Sequence, residues 1–351
     1  MPREREGPTA LGYRMPAEWE PHAATWLAWP HKQDSWPGNF TPIPDVWVQI
    51  VRALRPHEEV NILVNDPAAE ASVRGVLAAA QIPEHNVHLH QVPTDDAWIR
   101  DHGPIFITRR VTGHTDLGVV KWRYNAWGGK YPPWERDDAV AEQVAAHLGV
   151  PVFRPGVVLE GGSIDVNGRG TLLTTEACLL NPNRNPQLSR EQIAECLRAH
   201  LGVRNILWLG RGIVGDDTDG HIDDLARFVD PVTVVTVLEE DPRDDNFEPL
   251  QANYERLRHM MDQNGQPLHV VTLPMPRPIF HEGQRLPASY ANFYIANGVV
   301  LVPTFADAHD ATALRILQEV FPHRRIVGIH ASAMVWGLCA IHCVTQQQPA
   351  L

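Results

Sequence analysis

Cys343 lies in Gly337-Leu338-Cys339-Ala340-Ile341-His342-Cys343-Val344-Thr345-Gln346, close to the C-terminal end of the sequence. A cysteine attacks as its thiolate, which needs a positive or hydrogen-bonding neighbourhood. A cysteine without such a role is a small buried hydrophobe. If the segment is extended, neighbouring His342 points away from Cys343, so the useful histidine is expected from elsewhere. The densest polar run, Gly215-Asp216-Asp217-Thr218-Asp219-Gly220-His221-Ile222-Asp223-Asp224, supplies one. His221 and Asp223 are two apart, which in an extended segment puts a general acid/base and a cation-binding carboxylate on one face. The same run also reads as a metal site, since Asp and His ligate Zn²⁺ or Mn²⁺, or as a turn rich in Asp and Gly for backbone reasons. There is no HExxH, and no Cys/His pairs have zinc-finger spacing.

Other polar segments carry further candidates. Asp101, in Trp98-Ile99-Arg100-Asp101-His102-Gly103-Pro104, suits bidentate acceptance from a guanidinium. The alternative is an Arg100–Asp101 surface turn. Glu160 precedes Gly161-Gly162-Ser163, and paired glycines let backbone approach a ligand closely or simply make a turn. Tyr124-Asn125-Ala126-Trp127-Gly128-Gly129-Lys130-Tyr131 reads as an aromatic rim to a pocket. Gly210-Arg211-Gly212-Ile213-Val214-Gly215 spells GxGxxG, but an Asp-rich, Gly-broken stretch follows where a dinucleotide site needs a helix N-terminus. With no GxxxxGK[ST] either, no nucleotide cofactor is implied, and the metal reading of the Asp/His run stays beside the catalytic one.

The elements that must position these residues are legible as period. Apolar residues recur at three and four over Pro44–Leu54, Ala68–Ala80, Asp137–Leu148, Ser189–Leu201, Asn253–Gln263 and Ala311–Val320, predicting helices. Runs of Val, Ile and Leu at Val60–Val64, Val87–Gln91, Val152–Phe153, Ile206–Leu209, His269–Leu273 and Arg325–Ile329 predict buried strands. A strand, a polar segment and a second strand follow one another five times, with a helix-like stretch between. Asp101, Glu160, His221, Asn292 and Cys343 each stand near the start of a second strand, about 60 residues apart on average. Such a repeat can close into a ring with one group per unit near its axis. The run Ala24–Trp29 would complete the last unit, with the chain ends meeting. An ordinary α/β sheet whose polar loops never converge is the alternative. No segment resembles an interdomain linker, so one domain over 1–351 is expected.

The bulk numbers exclude some functions. The 351 residues are 44% hydrophobic with a net charge of −12. An acidic surface disfavours nucleic-acid and anionic-membrane partners; besides solubility, it favours approach of a cation. Four cysteines are too few for a disulfide framework. The N-terminal stretch has no apolar signal core, and no apolar run approaches ~18 residues. A reducing cytosol is the expected compartment.

Taken together, these motifs resemble the agmatine deiminase and bacterial-type peptidyl-arginine deiminase family, of the guanidino-group-modifying superfamily with a five-fold α/β-propeller. The resemblance runs from Tyr13–His22 through Trp98–Pro104, Tyr124–Gly129, Glu160–Ser163, Asp216–Asp223 and Ser289–Asn297 to His342–Gln347. It implies Cys343 as nucleophile, His221 as general acid/base, Asp101 and Asp223 as carboxylates that hold the guanidinium, and Glu160 as a further carboxylate of the pocket. Asn292, in the SYxNF segment, Trp98 and Trp127 are expected beside the substrate. The implied reaction displaces ammonia through a covalent S-alkylthiouronium intermediate and needs no cofactor. A homo-oligomer is common in the family.

The sequence departs from typical members in two places. Gly-Leu-Cys-Ala-Ile-His-Cys stands where they read close to GGGNIHC, and the loop after Gly129 is short. Agmatine is the first candidate substrate, with arginine and peptidyl-arginine as alternatives. Readings from other classes are a metal-dependent amidohydrolase and a non-catalytic guanidine-binding protein. An amidinotransferase is the alternative within the superfamily. Cys339, the extra thiol, is read as a packing residue or as a redox partner able to trap Cys343.

Overall fold

The structure is a computed structural model and describes residues 7–351. The first six residues of the stretch read above as lacking a signal core lie outside the described residues. Each helix expected from periodicity forms: Ile43–Leu54, Pro67–Ala79, Glu135–Leu148, Arg190–Leu201, Phe247–Arg258 and Asp310–Val320. Their ends have local causes. The Asp66 side chain accepts from Ala69 N–H, and Ser189 and Gln192 make a reciprocal capping box. Gly202 ends its helix in the left-handed conformation, φ 69°. One boundary is corrected: the helix expected over 253–263 occupies Phe247–Arg258. Pro249 is tolerated in its first turn. Beyond Arg258 the chain turns back, with Asp262 accepting from Asn264 N–H and Gln266 N–H and Met261 bridging Pro267.

The strands form several small sheets of a mixed α/β fold, and five of them share one wiring. They comprise, in spatial order, Gln346–Pro349, His22–Ala28, Glu59–Val64 and Val87–Gln91; Ile105–Val111, His114–Val120 and Val152–Phe153; Asp165–Val166, Thr171–Thr175 and Asn205–Leu209; Ala226–Phe228, Thr233–Leu238 and His269–Pro274; and Tyr294–Ala296, Val299–Thr304 and Arg325–His330. The first strand of each runs antiparallel to the second, and the second parallel to the third. Parallel neighbours need a crossover, and a helix fills it each time. A separate hairpin pairs Ile279–His281 with Gln284–Leu286.

The expectation for the chain ends holds: Gln346–Pro349 pairs antiparallel with His22–Ala28. The polar segments are the passages from the last strand of one sheet to the first of the next. Asp101, Glu160, His221 with Asp223, Asn292 and Cys343 occupy five successive passages. Among the described residues, no helix is long and apolar enough to cross a membrane.

Candidate active site

Four of the five passages tighten into a single helical turn, Ile99–His102, Gly161–Ser163, Ile222–Asp224 and His342–Val344; Asp101, Asp223 and Cys343 lie within theirs, and Glu160 and His221 stand just before theirs. This corrects the extended geometry assumed for the Cys343 segment. In a 3₁₀ turn His342 is not simply alternate to Cys343; its Nδ1 lies 2.6 Å from Asp223 Oδ2 and its Nε2 2.8 Å from Glu18 Oε2. His221 and Asp223 still face one another (Nδ1 to Oδ1, 4.0 Å), although Asp223 lies in a turn and not a strand.

The passages bring their side chains together. His221 Nδ1 lies 3.7 Å from Asp101 Oδ1, and its Nε2 lies 3.7 Å from Glu160 Oε2. Cys343 Sγ is 3.6 Å from Asp223 Oδ2, and Asn292 Nδ2 is 3.3 Å from that sulfur. Asn292 also holds the turn: its Oδ1 accepts from His342 N–H. Trp127 Nε1–H and Gly162 N–H donate to the two Asp101 oxygens, each at 2.9 Å. Gly162 is required here by close approach, because a Cβ would stand 2.6 Å from His221 Nδ1 and 2.8 Å from Asp101 Oδ1. Gly162 thus serves approach to the reactive side chains, whereas Gly161 packs against backbone, where a Cβ would collide with the Arg100 carbonyl oxygen.

Burial sets the electrostatics, since a charge out of water must find partners. Burial raises Asp101 to about 6, although His221 pulls the other way. Burial raises Asp223 too, yet His342, by hydrogen bond and charge, together with His221 and Arg227, holds it below the usual carboxylate range. Burial opposes ionisation of Glu160 as well, but Arg184 and His221 keep it low; Arg184 Nε–H donates to Glu160 Oε1 at 2.7 Å. His221 loses hydration on burial, but Asp101 above all, then Cys178 and Glu160, raise it well above the ordinary value. Behind Asp223, Glu18 joins His342, Arg100 and Arg227 in a buried ion network. Both His221 nitrogens and Asp223 Oδ1 have no hydrogen-bond partner among the described residues.

Several participants escaped the sequence reading. Glu18 lies in a segment quoted for the resemblance, and His342 adjoins the cysteine; both signals were present without a role. Arg184 and Cys178 carry no local signal. Glu160, Cys178 and His221 bring three potential ligand atoms within 4.8 Å, but Arg184 already neutralises Glu160. Cys339 is not merely packing: it is joined to Cys343 by a disulfide.

A cavity of about 330 Å³ opens above the cluster. Trp98, Trp127, Tyr131 and Trp336 contribute aromatic walls, and Asp101 faces into it. Trp336 stacks on His281 with ring centroids 3.8 Å apart. The rim carries Asp34, Asp96, Asp217 and Glu282 against Lys32. Lys32 lies 3.6 Å from Asp96, and Lys130 also binds Asp217.

The model of the Porphyromonas-type peptidyl-arginine deiminase family matches residues 14–349. An agmatine deiminase of Ectopseudomonas mendocina is 40% identical, covering 98% of this chain and 97% of its own. The solved agmatine deiminase of Enterococcus faecalis superposes with a TM-score of 0.90 at 36% identity, covering 98% of each chain. A cysteine-to-serine variant of C. jejuni agmatine deiminase, solved with substrate bound, gives a TM-score of 0.85 at 31% identity over 96% of each chain.

Proposed function

The chain belongs to the Porphyromonas-type peptidyl-arginine deiminase family, and from that premise we propose that it hydrolyses agmatine to N-carbamoylputrescine and ammonia through a covalent intermediate on Cys343. It is a hydrolase of carbon–nitrogen bonds in linear amidines. The observation that carries the substrate reading is a buried cluster of three carboxylates and a histidine beside one sulfur, with Asp223 Oδ1 left as an unpaired acceptor. A guanidinium presents a planar set of N–H donors that Asp101 and Asp223 can accept from two sides.

In this mechanism the two aspartates hold the guanidinium cationic and oriented. The Cys343 thiolate adds to its central carbon, which the positive charge makes electrophilic. His221 gives a proton to the departing nitrogen, which leaves as ammonia, and then takes one from the water that displaces the sulfur. Glu160 and Asp101 keep His221 protonated for the first step. Asn292 donates to the sulfur, and Trp98 and Trp127 flank the alkyl chain.

The rim supports agmatine over arginine. Its carboxylates outnumber Lys32, which suits a terminal ammonium and repels an α-carboxylate. The shared wiring and the pairing of the chain ends support a five-fold propeller, with the five passages meeting near its axis. The thiol chemistry suits a reducing cytosol.

The test is release of ammonia and ureido product from agmatine, arginine and peptidyl-arginine, with dithiothreitol and EDTA present, beside Cys343→Ala. Metal-independent turnover of agmatine that vanishes in the variant is expected. Activity lost to EDTA and restored by a divalent metal would instead favour the Glu160–Cys178–His221 ligand set.

A further inference from the structure

Cys339 stands four residues before Cys343, and the two sulfurs are bonded. The Cα atoms are 6.3 Å apart, inside the range of ~4.4–6.8 Å that a disulfide spans. The two residues also differ in access. Both are buried, but Cys339 lines the cavity and Cys343 does not. Leu338, just before Cys339, holds φ 63°, a left-handed conformation disfavoured for any residue with a Cβ. Leu338 caps the short helical turn Met334–Gly337, and Cys339 follows directly. Asn292 Nδ2 lies 3.3 Å from one sulfur and 4.0 Å from the other, so one amide spans the pair. Cys178 and Cys196 remain free. Disulfides in reducing compartments are mostly transient and redox-sensing.

We propose that the Cys339–Cys343 pair is a reversible redox modification site that switches the enzyme off. The proposal rests on the reading of Cys343 as the nucleophile. The oxidant is a peroxide. Cys343 thiolate attacks a peroxide oxygen, the O–O bond breaks, and sulfenic acid and hydroxide form. Cys339 thiolate then attacks the sulfenic sulfur and expels a second hydroxide. With two protons from the two thiols, the net change is two thiols and hydrogen peroxide to one disulfide and two waters. A dithiol reverses it by exchange, becoming a disulfide itself. While the bond stands, Cys343 has no thiolate electron pair to offer.

The full-length protein is reduced, treated with hydrogen peroxide, and followed by thiol titration, peptide mass and turnover of the guanidine panel. Each protein is compared with its own reduced activity. In the wild type, thiols fall from four to two, the peptide holding both cysteines loses two hydrogens, turnover falls at least tenfold, and dithiothreitol restores both. Cys339→Ser is expected to suffer peroxide inactivation that dithiothreitol does not reverse, because Cys343 then proceeds to sulfinic acid. A peptide that keeps its dithiol mass, a bond that forms without loss of turnover, or full dithiothreitol rescue of Cys339→Ser would each overturn the proposal. If the bond forms by mass but the reduced protein turns over no guanidine, the deiminase reading has failed, and the switch falls with it.

Discussion

Asp101 and Asp223 are two buried aspartates that both approach Nδ1 of His221, and the regions behind them make them different chemical groups. Asp223 backs onto His342, and through it onto Glu18, Arg100 and Arg227. That network holds its carboxylate ionised against burial. Asp101 receives two neutral donors, Trp127 Nε1–H and Gly162 N–H, and burial raises it to about 6. Asp223 is therefore a standing charge. Asp101 is a charge that a cation must complete, and a bound guanidinium would draw its pKa down by the same coupling. One region of the site is built to be permanent and the other to respond to substrate.

The largest test of this contrast is a pair of isosteric changes read for activity and stability together. Asp223→Asn is expected to lower kcat/KM by roughly 10³-fold or more and to lower Tm, because it removes the buried charge that pairs with His342. Asp101→Asn is expected to lower kcat/KM by about 10²- to 10³-fold yet raise Tm at pH 7. The signs follow from linkage. The folded pKa of Asp101 lies above its unfolded value, so ionising it at neutral pH opposes folding, on the order of 1–3 kcal/mol, and the penalty fades as pH falls through about 6. Asp223 is depressed, so its contribution is present above the unfolded pKa and lost as pH falls through the folded one. Thermal melts of both variants that move in the same direction would erase the distinction.

A smaller effect is expected from pH alone. kcat/KM reports the free enzyme, so it should fall about tenfold per unit below about pH 6, as Asp101 takes up a proton. A pH profile of a slowly active Asp101→Asn protein should lack that limb. His342→Gln tests the opposite region: it withdraws the support that holds Asp223 low and should create a new acid limb with a loss of roughly tenfold or more in kcat/KM. Smallest of all, Trp127→Phe removes one donor to Asp101 and should move the wild-type limb upward, with kcat/KM falling roughly threefold to tenfold near neutral pH. An unmoved limb would separate Trp127 from the titration.

Much of the scaffold was readable because its causes are local. Helix periods, the Ser189–Gln192 box and the Gly202 stop act within a few residues, and the corresponding helix lies where they place it. Only the fifth helix shifted: it begins earlier, with Pro249 in its first turn, and ends before the Asp262 turn. The five capable residues could be picked by type and by position before a strand. His342 was misjudged because direction was inferred from strand alternation, and a single 3₁₀ turn breaks that rule.

By itself, then, the sequence determined the elements, their order, the five residues that stand between sheets and the family motifs that name a guanidine chemistry. Tertiary structure alone decided what those residues are. His342 meets Asp223 across 119 positions and Glu18 across 324, and Arg184 meets Glu160 across 24. A carboxyl's proton affinity depends on charges and donors within a few ångströms, and no local pattern states which distant residues will arrive there. The same holds for Cys339: four residues from Cys343 along the chain, it meets Cys343 beside the amide of Asn292, which comes from 47 and 51 positions away.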